Sequence, residues 1–369
     1  MKIFLEKPMT CNLNYQPNYI YDELNEKFDI TTNPEEADII VFPGTCSCTE
    51  EDIYNTINII KSIIKRKKKG AKTYLTGCLS RKYTKKNLEW VEEWLNENID
   101  YIIPQNKPNM LLKMIGKKIY EELEDDHFGG FFMDYQKGIG EIYLSSGCLN
   151  NCSFCKKTYQ ELPLKSTDYN NLKDIIEMYS EIGAQKLVLK GTNIAQYGLD
   201  INGTYLLKEV IDYIETFDNI ERIELIGLGF KDAIKGELSK ALSNSSKITD
   251  ISGGLESGSN RLLNLMNKGF TSEEFINFVE ETNIKNSLTL NIIAGFPTET
   301  IEDIELTIEL LQRIKQYIKN VDIIRYINSN SIDSNNYAQY ERSTIVEHAN
   351  IYQKELSKRG INSEIPSYC

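Results

Sequence analysis

Long apolar runs are missing from this sequence. Nowhere do about 18 uncharged apolar residues follow one another, so no segment reads as a membrane-spanning helix. The opening MKIFLEKPMTC holds no apolar run of signal-peptide length, and the expectation is a cytoplasmic protein without a membrane partner. Histidine is scarce: His127 and His348 are the only two, neither has local metal-ligand spacing, and each reads as a surface or packing residue. Positive charge is in deficit as well, with 42 Lys and Arg against 54 Asp and Glu and a formal charge of -12. Proteins that live on nucleic acid gain affinity by neutralising phosphates, so polyanion binding is disfavoured. One basic cluster stands against that balance, Lys65-Arg66-Lys67-Lys68-Lys69 followed by Lys72. It reads as a solvated helix end, where cations also suit the helix dipole.

What is present is cysteine, eight of them in a 369-residue chain. The cytosol keeps thiols reduced, so metal binding or thiol chemistry is a better reading than a disulfide framework. With 41% apolar and 26% charged residues the chain can bury a sizeable core in two or three domains. Over residues 1–120, apolar runs at Lys2–Leu5, Ala37–Phe42, Thr73–Leu75 and Asp100–Ile103 alternate with helical patterns near 18–27, 50–66, 84–96 and 109–123. Such alternation predicts an α/β domain with a mostly parallel sheet, here taken as residues 1–125. Gly129-Gly130 suggests a linker over 126–138.

From 139 to 330 the rhythm resumes, with strands expected near Glu141–Leu144, Lys186–Leu189, Arg222–Ile226, Thr249–Ser252, Leu288–Ile293 and Val321–Tyr326. A helix is expected over 301–318, where Ile304, Ile308, Leu311, Ile314 and Ile318 form one apolar stripe for core packing. Six strand–helix repeats are too few for an eight-stranded barrel and predict a partial (β/α)6 barrel. Residues 331–369 read as a polar loop and a helical tail, with the helix at about 342–359.

Directly after the first strand of the second unit stands Cys148-Leu-Asn-Asn-Cys152-Ser-Phe-Cys155. Three thiolates in so short a loop, at the carboxyl end of a strand, can hold one corner of a four-iron cluster and leave one iron open. An open iron can chelate the amino and carboxylate groups of S-adenosylmethionine and pass an electron to its sulfonium. The alternative is zinc completed by a remote fourth ligand. Cys11, Cys46 and Cys78 each follow a strand of the first unit. Parallel strands end at one edge, so these three could converge on a second cluster-sized site, the alternative being ordinary buried thiols. Cys48 reads as a packing residue and Cys369 as an exposed, unpaired thiol.

The run Cys148–Cys155 matches the CxxxCxxC signature of radical S-adenosylmethionine enzymes, with Phe154 in the usual aromatic place. Three later segments resemble the methylthiotransferase segments GQNxxxYG, VQSGSDR and GFPGET: Gly191-Thr-Asn-Ile-Ala-Gln-Tyr-Gly198, Gly254-Leu-Glu-Ser-Gly-Ser-Asn-Arg261 and Gly295-Phe-Pro-Thr-Glu-Thr300. In the first unit, Met9-Thr-Cys11, Glu35-Glu-Ala-Asp-Ile-Ile-Val-Phe-Pro-Gly-Thr-Cys46 and Leu75-Thr-Gly-Cys78 resemble that family's amino-terminal domain, with its EEADVIIxNTC and VxGC. The resemblance covers roughly residues 1–330. It implies a methylthiotransferase with two [4Fe-4S] clusters, one on Cys148, Cys152 and Cys155 and an auxiliary one on Cys11, Cys46 and Cys78. It also implies an S-adenosylmethionine pocket lined by Phe154, Gly191, Thr192, Asn193, Glu256, Ser257 and Gly295. A flavodoxin or ferredoxin would donate the electron, and C–H would be replaced by C–S–CH3.

The sequence departs from the family in three places. The terminal basic TRAM barrel has no counterpart in residues 342–369, the Arg-Gly after the cysteine loop is replaced by Lys157-Thr-Tyr-Gln, and the Gln of VQSGS is Glu256. The missing barrel and the acidic charge favour a peptide or protein substrate, including a ribosomally made peptide. The counter-reading is tRNA, since the cysteine loop is nearest to the branch acting on threonylcarbamoyl-adenosine in tRNA and the Lys65–Lys72 cluster is basic. A radical peptide maturase without sulfur insertion is the further alternative.

Overall fold

The computed structural model describes residues 1–6, 16–45, 50–80, 89–103, 108–119, 131–134, 138–155, 163–326 and 341–366. The chain divides into two compact units, Met1–Gly130 and Phe131–Cys369.

In the first unit, β1 (Lys2–Leu5), β2 (Asp29–Thr31), β3 (Ile39–Thr45), β4 (Lys72–Gly77) and β5 (Tyr101–Ile102) form one sheet in the order β2-β1-β3-β4-β5. Every pair in it is parallel. The helices are α1 (Gln16–Lys27), α2 (Glu50–Lys65), α3 (Glu89–Asn98) and α4 (Pro108–Ile115). Side chains alternate across a strand, so each strand feeds two cores. Phe4, Ile40, Phe42 and Leu75 pack with Ile53, Ile57, Val91 and Leu95 from α2 and α3. Ile3, Leu5, Val41 and Tyr74 pack with Ile20 and Leu24 of α1 and Leu111 and Leu112 of α4. A sheet covered on both faces explains why its strands read as nearly continuous apolar runs. β2 is three residues long and carried no such run. α4 stops at Ile115, well short of the helix expected over 109–123; Gly116 follows, and glycine is costly inside a helix. Residues 120–123 of that expectation lie outside the described residues.

The second unit holds β6 (Phe131–Asp134), β7 (Ile139–Ser146), β8 (Lys165–Ser166), β9 (Lys186–Gly191), β10 (Arg222–Leu228), β11 (Ile248–Glu256), β12 (Leu288–Ala294), β13 (Ile318–Arg325) and β14 (Ser363–Glu364). Its nine-stranded sheet runs β14-β13-β12-β11-β10-β9-β7-β6, with β8 paired to β7. From β7 through β9 to β13 the strands lie parallel in chain order, an open six-unit β/α array. The helices are α5 (Tyr169–Glu181), α6 (Leu207–Glu215), α7 (Phe230–Lys235), α8 (Leu238–Asn244), α9 (Asn260–Leu265), α10 (Ser272–Thr282), α11 (Ile301–Arg313) and α12 (Arg342–Lys358). Leu187, Leu189, Leu225, Ile251, Leu290, Ile292, Val321 and Ile323 bury one face of the sheet in a single core with these helices. The other face is polar and half-buried: Lys190 pairs with Glu141 at 2.7 Å and Lys186 pairs with Glu224.

Three local readings change. Phe131–Asp134, inside the stretch read as a linker, is a strand antiparallel to β7, as its Phe-Phe-Met run allows. The helix expected over 301–318 ends at Arg313; a 3₁₀ turn follows over Lys315–Tyr317, and Ile318 opens β13. In the tail, α12 is followed by β14, which adds a parallel strand beyond β13. Capping boxes at Thr271 with Glu274 and Thr300 with Asp303 start α10 and α11, satisfying amide groups that the first helical turn leaves free.

Candidate active site

β7 ends at Ser146, and Gly147 turns the chain at φ +74° into the loop of Cys148, Cys152 and Cys155. All three are half-buried, and none of them is in a disulfide. The loop is anchored from two sides. Ser153 donates through its N–H to Met266 O (3.0 Å) and through its hydroxyl to Leu265 O (2.8 Å), and Asn267 Nδ2 donates to Asn151 O at 2.7 Å. On the other side, Leu149 N donates to Gln196 Oε1 at 2.8 Å. Burial, reinforced by Cys152 and Cys148, pushes the Cys155 thiol up to about 12. Burial likewise raises Cys152, with Lys268 opposing. Thiolates in so crowded a place need a cationic partner, and the donor set fits an iron–sulfur cluster.

The expected pocket residues lie at the carboxyl ends of neighbouring strands. Gly191 closes β9 against Ser145, and a Cβ there would stand 2.8 Å from Ser145 O. Thr192 is exposed, and Asn193 is buried beside the cysteine loop. Glu256 ends β11 at φ +70°, is buried, and pairs with Lys268 Nζ at 3.2 Å. Lys268 Nζ also stands 5.6 Å from the Phe154 ring centre, so Glu256 and Phe154 share one cation. Ser257 is fully buried; its hydroxyl lies 3.2 Å from Thr307 Oγ1 and accepts from Ser259 N at 3.1 Å, so it shapes the turn. Gly295, at φ +76°, donates its N–H to Glu299 Oε2 at 2.6 Å. Near these residues, Ser145 Oγ and Tyr326 Oη are buried without a hydrogen-bond partner, polar atoms that a bound polar ligand would satisfy.

In the first unit, Cys11, Cys46 and Cys48 lie outside the described residues, as do the Cys78 side chain and Cys369. The backbone around two of them is clear. Thr45, before Cys46, and Gly77, before Cys78, are register partners at the ends of β3 and β4. Thr45 Oγ1 donates to Thr76 O at 2.8 Å and accepts from Leu79 N at 3.1 Å. Gly77 has φ +97°, and a Cβ there would come within 2.6 Å of Thr45 N.

Four residues escaped the sequence reading. Asp232 lies near the start of α7, just beyond Gly227-Leu-Gly229 where β10 ends; a strand-end glycine pair was the available signal. Asn150 sits inside the cysteine loop, and Lys268 follows α9. Glu299 is buried with His348 Nδ1 at 2.7 Å and accepts from Tyr352 Oη at 3.0 Å, which makes His348 a packed residue of the core.

A six-unit parallel β/α array with three thiols on the loop after its first strand defines a radical S-adenosylmethionine enzyme. The model of the radical SAM superfamily matches residues 142–311, and that of an uncharacterized protein family, UPF0004, matches residues 6–95. The tRNA-2-methylthio-N(6)-dimethylallyladenosine synthase of Sulfurovum sp. is 28% identical over 335 residues, 85% of this chain and 74% of the relative. The threonylcarbamoyladenosine tRNA methylthiotransferase MtaB of Aquifex aeolicus is 27% identical over 333 residues, 85% of this chain and 78% of the relative. The two family models and these relatives support the radical S-adenosylmethionine methylthiotransferase family for this chain, with [4Fe-4S] clusters and S-adenosylmethionine as the cofactors they imply. Among solved structures, the cobalamin-dependent radical enzyme OxsB aligns at TM-score 0.53 and 14% identity over 97% of this chain and 55% of its own. The radical methyltransferase TsrM of Kitasatospora setae aligns at TM-score 0.53 and 12% identity over 87% of this chain and 71% of its own. These two likenesses concern the fold alone.

Proposed function

We propose that this protein is a tRNA methylthiotransferase that replaces C–H by C–S–CH3 on an adenosine of tRNA. Cys148, Cys152 and Cys155 hold the cluster that opens S-adenosylmethionine, and Cys11, Cys46 and Cys78 hold the auxiliary cluster. The observation that carries the substrate is that the curated relatives matched over 85% of this chain, through both units, are named as tRNA-modifying enzymes. The peptide or protein substrate favoured on charge gives way to tRNA, because a net charge of -12 sums the whole surface while phosphates meet only a local field. The Lys65–Lys72 cluster is a poor candidate for that field. Lys68 pairs with Asp38 at 2.7 Å, Arg66 with Glu35 at 3.3 Å and Lys72 with Asp100 at 3.2 Å.

When bound, the first cluster supplies the electron that cleaves S-adenosylmethionine to a hydrogen-abstracting radical, and the second supplies sulfur. The chain's own part is to bind and shield. The anchored cysteine loop fixes where the radical is born, Phe154 and the strand-end turns of β9, β11 and β12 border that place, and Glu256 with Lys268 closes one side. The protein works in the cytoplasm with a flavodoxin- or ferredoxin-type donor. No described helix is long and apolar enough to cross a membrane.

The test is to incubate anaerobically reconstituted enzyme, a reductant and methyl-labelled S-adenosylmethionine with total tRNA from cells lacking this protein, then digest to nucleosides. An adenosine derivative should gain a methylthio group carrying the label. Unchanged nucleosides, with 5′-deoxyadenosine formed only when a peptide is supplied, would return the peptide reading.

A further inference from the structure

The loop of the three cysteines is held by a carboxylate remote from it in sequence. Asp232 is buried, with 5% exposure, and its Oδ2 accepts from three side-chain amides: Asn150 Nδ2 at 2.7 Å, Asn193 Nδ2 at 2.7 Å and Gln196 Nε2 at 3.0 Å. Tyr205 Oη approaches Oδ1 at 3.5 Å. Asn150 belongs to the cysteine loop and Gln196 accepts from Leu149 N of the same loop at 2.8 Å, so the carboxylate reaches the loop by two routes. Asn193 is fixed in a single orientation. Its Oδ1 accepts from Gly229 N at 3.1 Å, so its Nδ2 is the end that faces Asp232 and, at 3.7 Å, Cys148 Sγ. Gly229 permits this approach, since a Cβ there would stand 2.4 Å from Asn193 Oδ1.

We propose that Asp232 is a positioning residue for the cluster on Cys148, Cys152 and Cys155: by binding one hydrogen of the Asn193 amide it aims the other at the Cys148 sulfur, and this N–H···S bond raises the cluster's reduction potential. The inference rests on the assignment of that cluster and is independent of which substrate the enzyme modifies. The physical reason is that a thiolate carries more negative charge when the cluster gains an electron. A donor aimed at it therefore favours the reduced form, and hydrogen bonds to sulfur are among the levers that set such potentials. The Asp232 charge acts in the opposite direction, since a nearby anion disfavours reduction. The two effects can be separated because only the aiming requires Asn193.

The test is a double-mutant cycle with Asn193→Ala and Asp232→Asn in the full-length, two-cluster protein. The midpoint potential is read from the electron paramagnetic resonance signal that shifts when S-adenosylmethionine is added, which distinguishes this cluster from the auxiliary one. Asn193→Ala should lower the potential. Asp232→Asn should raise it in the Asn193→Ala background, where only charge is lost. With Asn193 present the same substitution should raise it less, or lower it, because the donor is also released. Equal shifts in both backgrounds, or no fall for Asn193→Ala in a protein of full iron and sulfide content, would overturn the proposal. Variants that lose iron would be read instead through Asn193→Ser and Asp232→Glu, for which the same inequality is required. Failure of the tRNA experiment alone would leave this cycle untouched.

Discussion

Asp303 shows how a buried carboxylate ties two site segments together. It is 3% exposed, and burial alone would raise its pKa; bonds from Arg261, Ser259 and Thr300 outweigh that and hold it at about 2. Ser259 Oγ donates at 2.6 Å and Thr300 N at 2.8 Å, so the turn after β11 and the start of α11 share one anion. A folded-state pKa below the unfolded value of about 3.9 stabilises the protein above that pH and loses its effect as pH falls toward the folded value. Asp303→Asn should cost roughly 2 kcal/mol at pH 6, and its gap to the parent should close between about pH 4 and pH 2 in urea titrations. A gap independent of pH would mean that the bonds are not charge-assisted. The cysteines give a second prediction at this scale. Replacing Cys148, Cys152 or Cys155 by Ala should reduce iron from about eight to about four atoms per chain and abolish 5′-deoxyadenosine. Retention of either would remove these residues from the ligand set.

At the scale of elements, α12 is bound to the array by chemistry as well as packing. Glu299, 1% exposed, gathers Gly295 N–H at the end of β12 and Tyr352 and His348 of α12. Glu299→Ala would take one partner from each of these buried groups, and a buried group left unsatisfied costs about 1–3 kcal/mol. Amide hydrogen exchange across 342–358 should rise together with exchange at 295–296. If only α12 loosened, Glu299 would not couple the helix to the Gly295 turn. The strands and most helices were legible because each is a local pattern: an apolar run, or a stripe such as Ile304, Ile308 and Leu311. Elements that depend on a neighbour were not. β14 is two residues long and exists only because β13 offers an edge, and Ile318 continues the helical stripe yet starts a strand after a 3₁₀ turn.

Over the whole molecule the issue is charge. With Arg66, Lys67 and Lys68 paired to Glu35, Asp100 and Asp38, the Lys65–Lys72 cluster has little left for phosphates. Exposed pairs of this kind contribute little stability, so the main effect of the pairing is on the local field. Replacing Arg66, Lys67 and Lys68 together by Gln should change the slope of log affinity for tRNA against log salt by less than about one unit. A change of two or three units would mean that these cations leave their carboxylates for phosphate.

By itself the sequence pointed to a cluster on the first cysteine loop, because three thiols spaced CxxxCxxC stand together in the chain without a distant partner. It also determined the two α/β rhythms, since periodicity is written residue by residue. Only the tertiary structure decided what holds that loop: Asp232, 82 positions from Asn150, is an ordinary helix aspartate until the strand order sets it beside β9 and the cysteines. Only the tertiary structure showed that the basic run is paired, because Asp38 and Asp100 reach it through the sheet and not along the chain. Burial and long-range hydrogen bonds belong to pairs of residues, and a sequence read one residue at a time does not contain the pairing.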